Sequence, residues 1–358
     1  MQLHKSAIAA LLVMVLLFSP VLSVSAQELP AAPTETSLPT ESVPPTENVA
    51  ETVPAAPAEP VADIIPVLES DPSMAIYQIC DRLAQEMEAR QVLVYHTGTG
   101  QMLYSKTVET QKLFPASVTK LFSAYVALQY LDPDTVITAG DELDLVHEGS
   151  SIAYIGRGSS LRVKMLVEGM MLPSGNDAAI VLATAAGRVI AQDETISPTD
   201  AINVFVDEMN RQADTLGFEK THFSNPDGWH TGSHYTSLKD LARIAKLALE
   251  NDTIRHYMKI GKDETAFLSG QYVTWENTNL LVYRDGPYYR SDAIGMKTGY
   301  TRPAGYCLMS AFTFEGGDIV IGLFGYTSKY DRFRDAIRLI NAVKQQLRLE
   351  MVSDESVG

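Results

Sequence analysis

Phe114-Pro115-Ala116-Ser117-Val118-Thr119-Lys120 opens a helical run that Asp132-Pro133 stops. On a helix, residues three apart share a face, so Lys120 Nζ can reach Ser117 Oγ. A serine hydroxyl is a weak nucleophile until a neighbouring base takes its proton. Lysine serves as that base only when burial and a nearby cation lower its pKa. Serine and lysine three apart also occur by chance at ordinary helix starts. Two further motifs decide the matter: Ser174-Gly175-Asn176 and Lys297-Thr298-Gly299 follow downstream. Their joint occurrence in this order points to serine acyl transfer.

Each motif has a reading in chemical terms. The apolar run Met170-Met171-Leu172-Pro173 delivers Ser174 and Asn176 to a turn. There Ser174 can relay a proton between Lys120 and a leaving amine, and the Asn176 amide can hold a backbone carbonyl. A polar turn with a helix cap fits that segment equally well. Ala293-Ile294-Gly295-Met296 reads as a strand that ends at Lys297. Lys297 and Thr298 suit a carboxylate, and Gly299 lets a substrate backbone approach. Lys297 is also the candidate cation beside Lys120.

The 358-residue chain divides by composition. Residues 1–26 read as a secretory signal: Lys5, an apolar run, then Val24-Ser25-Ala26 as a cleavage site. An uncleaved membrane anchor is the alternative. Residues 27–72 hold ten prolines and nine acidic residues without Lys or Arg, a composition that predicts an extended spacer. More than half of the formal charge of −16 lies there, and the acidic balance argues against nucleic-acid binding. Residues 73–347 form the catalytic domain and 348–358 a tail. Cys80 and Cys307 can form a disulfide in an exported chain, or stay as buried thiols.

Hydrophobic periodicity predicts helices over 74–90, 117–131, 164–171, 176–188 and 330–347. A hairpin over 91–105 and strands over 306–310 and 319–324 complete the pattern. Strands at both ends with helices between them imply an α+β fold, an antiparallel sheet with helices on its faces. His222, His230 and His234 lie among turn residues, without the H-E-x-x-H arrangement of a metal site, so loop roles are expected. Trp229 and Trp275 read as packing residues.

The chain resembles the low-molecular-mass penicillin-binding proteins, specifically serine-type D-alanyl-D-alanine carboxypeptidases. The resemblance extends to Gly149-Ser150-Ser151, Leu172-Pro173-Ser174-Gly175-Asn176-Asp177-Ala178-Ala179, Thr221-His222-Phe223-Ser224-Asn225-Pro226, Gly228, His234, Asp240-Leu241-Ala242 and Met296-Lys297-Thr298-Gly299-Tyr300-Thr301. It implies a β-lactamase/transpeptidase-like fold with a mostly helical subdomain. Ser117 would be acylated, with Lys120 its base and Ser174 assisting. Asn176, Lys297, Thr298, Gly299, Tyr300 and Arg332 would bind substrate, and the N–H groups of Ser117 and Tyr300 would form the oxyanion hole. The implied substrate is a peptidoglycan stem peptide ending in D-Ala-D-Ala, outside the cytoplasm, in cell-wall and cell-shape biogenesis. β-Lactams would act as covalent inhibitors, and neither metal nor organic cofactor is implied. Family members often carry a β-rich C-terminal domain with a membrane anchor. With the sequence stopping at Gly358, any membrane tether is expected to come from an uncleaved N-terminus, the alternative to cleavage. The rivals are a β-lactamase, disfavoured because E-x-x-L-N is missing between the last two motifs, and a catalytically silent wall-binding relative.

Overall fold

A computed structural model describes residues 72–357, with side chains over 74–349. The predicted signal and the spacer up to residue 71 lie outside the described residues. The centre is a five-stranded antiparallel sheet built from β1 (Gln91–His96), β2 (Gln101–Ser105), β7 (Ala293–Thr301), β8 (Gly305–Phe312) and β9 (Ile319–Tyr326), in the order β2-β1-β9-β8-β7. Two separate two-stranded ribbons stand apart from it, β3 (Val136–Thr138) with β4 (Ser160–Arg162), and β5 (Lys262–Ala266) with β6 (Tyr272–Glu276).

Alternation along the central strands feeds two cores. Val92 and Val94 of β1, with Ile319, Ile321 and Leu323 of β9, face α1 (Pro72–Glu86) and α8 (Asp331–Val357). Leu93 and Tyr95, with Val320 and Phe324, join the core of the helical side. Strands covered on both faces read as unbroken apolar runs, and β9 is buried along its whole length. The helical side contains α2 (Lys120–Ala127), α3 (Val163–Met171), α4 (Asn176–Ala191), α5 (Pro198–Thr215), α6 (Leu238–Glu250) and α7 (Asp252–Met258). Its core includes Phe122 stacked on Phe223, ring centroids 5.1 Å apart. The architecture is therefore the expected α+β arrangement of a sheet with helices on both faces.

Three details differ from the sequence reading. The segment 116–119 is a 3-10 turn leading into α2, with Val118 N–H donating to Pro115 O at 3.2 Å. Lys297-Thr298-Gly299 lies inside β7, because the strand continues to Thr301. The last helix runs on to Val357, through the expected tail. Of the two states open to the cysteines, the structure shows buried thiols, Cys80 in the α1–α8 layer and Cys307 in the core on the opposite face.

Candidate active site

Residues three apart eclipse one another in a 3-10 turn. Lys120 Nζ accordingly lies 3.0 Å from Ser117 Oγ. Several groups brace that turn. Ala116 holds φ at 49°, a left-handed conformation that costs an alanine about 1–2 kcal/mol. Thr119 Oγ1 donates to Ala116 O at 2.8 Å. Ser224 N–H donates to His234 Nδ1 at 3.1 Å, which leaves the ring proton on Nε2, 2.8 Å from Thr119 Oγ1. Burial presses the His234 pKa down to about 3, so the ring stays neutral beneath the nucleophile. Gly228 completes the cradle with φ +86°; a Cβ there would stand 1.9 Å from Ala116 O.

Lys120 is fully buried, and its Nζ also contacts Asn176 Oδ1 and Asp227 O, both at 2.7 Å. Those two oxygens can only accept. A neutral amine has two N–H groups and one lone pair, so donating to both turns the lone pair toward the Ser117 hydroxyl. Burial lowers the Lys120 pKa to about 8, against the opposing pull of the Asp227 and Asp177 carboxylates. Lys297, the expected cation, is itself fully buried. Burial first, then repulsion by Lys120 and Arg332, hold its pKa well below the ordinary lysine value.

Asn176 starts α4. Its N–H donates to Ser151 O at 2.8 Å, and its Nδ2 to Asp227 Oδ2 at 2.5 Å. The next residue, Asp177, accepts from the amides of Ala153 at 2.7 Å and Ile155 at 2.9 Å, which pins the 151–155 loop to the helix. Ser174 is buried with φ at 66°, and the three contacts of Lys120 do not include it. The motif thus brings Asn176, rather than Ser174, directly to the lysine.

β7 is an edge strand of the sheet, and its Gly299 lies against the Ser117 turn. A Cβ at Gly299 would stand 3.0 Å from both Ser117 N and Ala116 Cβ. Within this strand Lys297 Nζ donates to Thr298 O at 3.0 Å, and Thr298 Oγ1 donates to Thr278 Oγ1 at 2.7 Å. Tyr300 is exposed and packs its ring on Tyr306, centroids 4.4 Å apart. Arg332 is buried at the start of α8, where Nη1 donates to Cys307 O at 2.8 Å and Gly299 O at 3.3 Å. It therefore underpins β7 through backbone carbonyls, on residues that pair across β7 and β8.

The remaining candidates have separate partners. His222 Nδ1 lies 2.8 Å from Ser233 O, and His230 packs edge-on against Phe114. Buried Trp275 donates to Ala153 O at 2.9 Å, while Trp229 stacks on His147. Sequence reasoning missed Asp227, Asp177 and Thr278. Asp227 contacts Lys120 through a backbone oxygen, which no side-chain pattern reveals. Asp177 carried a signal, a carboxylate in the first turn of a helix.

A half-buried Ser117 against a buried Lys120, beside an open sheet edge, is the arrangement of a serine acyl-transfer enzyme. The family model for D-alanyl-D-alanine carboxypeptidase matches residues 79–325. The D-alanyl-D-alanine carboxypeptidase of Streptomyces sp. (strain K15) is 34% identical over 256 residues, which are 69% of this chain and 84% of that protein. DacF of Bacillus subtilis (strain 168), also a D-alanyl-D-alanine carboxypeptidase, is 27% identical over 71% of this chain and 61% of its own length. The crystal structure of the Streptomyces K15 DD-transpeptidase superposes with a TM-score of 0.63 at 31% identity, over 72% of this chain and 97% of that one. The chain belongs to the D-alanyl-D-alanine carboxypeptidase family, and it is a serine-type peptidase that acts on the D-Ala-D-Ala bond.

Proposed function

We propose that Ser117 is the acylated residue and Lys120 its base. The observation that carries this reading is the 3.0 Å approach of a fully buried Lys120 Nζ to Ser117 Oγ, with two obligate acceptors occupying its other positions. Lys120 takes the Ser117 proton as Oγ attacks the carbonyl of the penultimate D-Ala of a peptidoglycan stem peptide. The oxyanion rests between the N–H groups of Ser117 and Tyr300, a pairing supported by the close approach of Gly299 to Ser117 N. The terminal D-Ala leaves as an amine that regains a proton through Lys120 and Ser174. Water, activated by Lys120, then cleaves the Ser117 ester.

Lys297 and Thr298 bind the terminal carboxylate. A buried amine whose charge is disfavoured by burial and by neighbouring cations regains its proton beside an anion. Arg332 adds its charge from beneath Gly299. Asn176 keeps one amide hydrogen for a substrate carbonyl, the other being on Asp227. β-Lactams form the same Ser117 ester, and their opened ring holds off water.

Among the described residues no helix is long and apolar enough to cross a membrane. The action outside the cytoplasm rests on 1–26 as export signal, with 27–72 the spacer and the described fold the catalytic domain in cell-wall and cell-shape biogenesis. The test is D-Ala release from a pentapeptide ending in D-Ala-D-Ala. Release by the wild type that Ser117→Ala abolishes supports the reading. Undiminished release by Ser117→Ala overturns it.

A further inference from the structure

We infer that Thr278 is a positioning residue for recognition of the substrate carboxylate, acting by setting the direction of the Thr298 hydroxyl. The inference rests on the proposed role of Thr298. Thr278 stands just after β6, in the long connection to β7 and outside the three motifs, and its hydroxyl oxygen is 2.7 Å from Thr298 Oγ1.

A rigid frame holds it there. Asn277 is buried, and its Nδ2 donates to Ile260 O at 2.8 Å while its N–H donates to Gly261 O at 2.8 Å. Asn279 is buried as well, with Nδ2 3.3 Å from Ser310 Oγ, which in turn donates to Gly295 O of β7 at 3.0 Å. Between these anchors, Thr278 N–H donates to Leu172 O at 3.0 Å, two residues before Ser174. One residue thus ties the Ser174 segment to the Thr298 strand by its backbone on one side and its hydroxyl on the other.

The hydroxyl pair has a direction. Thr298 donates to Thr278, so the single Thr298 proton is spent inside the protein. A carboxylate can only accept, and to receive that proton it must draw the Thr298 O–H away from Thr278. The Thr278 hydroxyl then turns its own proton onto Thr298 Oγ1. The pair reverses without loss of a hydrogen bond, and the new donor polarises Thr298 toward the anion. Without the Thr278 hydroxyl, Thr298 Oγ1 lacks both its resting acceptor and this donor.

The experiment is steady-state D-Ala release from a D-Ala-D-Ala pentapeptide by the full chain and by Thr278→Val, Thr278→Ser, Thr298→Val and the Val/Val double variant. Thr278→Val is expected to raise KM about fivefold with kcat within about twofold, the loss of one hydrogen bond between neutral hydroxyls. Thr278→Ser, which keeps the hydroxyl, is expected to restore KM, and the double variant to cost no more than Thr298→Val alone. A Thr278→Val enzyme with wild-type KM, or one whose kcat and Tm fall without rescue by serine, overturns the inference. Thr298→Val with wild-type KM removes the Thr298 reading beneath it. Failure of the wild type to release D-Ala refutes the proposed reaction instead.

Discussion

Asp227 holds Lys120 twice over: its backbone oxygen accepts from Nζ at 2.7 Å, and its carboxylate fixes Asn176, the other acceptor of that amine. The carboxylate also favours the lysine cation, opposing burial. Asp227→Asn keeps the backbone acceptor and removes the charge. The Lys120 pKa is expected to fall, moving the rising limb of kcat/KM to lower pH. Asp227→Ala, which frees the Asn176 amide, is expected to lower kcat/KM by about 10–100-fold at pH 8, the scale of a displaced catalytic group. A pH–rate series on both variants reads the two effects separately.

The base must be neutral to act. With the Lys120 pKa at about 8, the neutral fraction rises tenfold per pH unit below that value and levels off above it. Acylation by benzylpenicillin, followed from pH 5 to 9, is expected to show that rising limb. Lys120→Arg retains the charge but cannot lose its proton, and a drop of about 10³-fold or more is expected across the whole range.

Gly228 sets a steric limit on the nucleophile turn. Its φ of +86° and the 1.9 Å approach of a built Cβ to Ala116 O leave no room for a side chain. Gly228→Ala is expected to destabilise by several kcal/mol and to lose acylation, since relief requires moving the backbone at Ser117. Thermal unfolding together with benzylpenicillin labelling of the soluble fraction checks both consequences.

His234 links stability to pH. Unfolded, the ring takes up a proton near 6.5; folded between Thr119 and Ser224, it resists until about 3. The unfolded state therefore binds more protons within that window, and stability falls as pH drops through it by roughly 1.4 kcal/mol per unit. Denaturant unfolding at pH 7, 6, 5 and 4 is expected to show this slope, reduced in His234→Gln.

The three motifs were legible because each packs its chemistry into three or four consecutive residues, whose order survives folding. The apolar runs of Val92 to Tyr95 in β1 and of β9 likewise made the sheet readable. The supports of the site were not. The 3-10 turn depends on a left-handed Ala116 held by Thr119 and by His234, 115 positions from Thr119. The strand runs past Lys297 because the apolar stretch 293–296 marks only its start, whereas β7 is an edge strand that carries glycine where Ser117 comes close. Thr278 reaches Thr298 only through a frame of buried asparagines, and no local pattern announces such a frame.

The central claim is a covalent intermediate on Ser117, and intact mass after incubation with benzylpenicillin tests it most directly. The account predicts one adduct of the antibiotic's mass, persisting for hours and missing in Ser117→Ala. An adduct retained by Ser117→Ala, or one lost within seconds while the antibiotic is consumed, would contradict it.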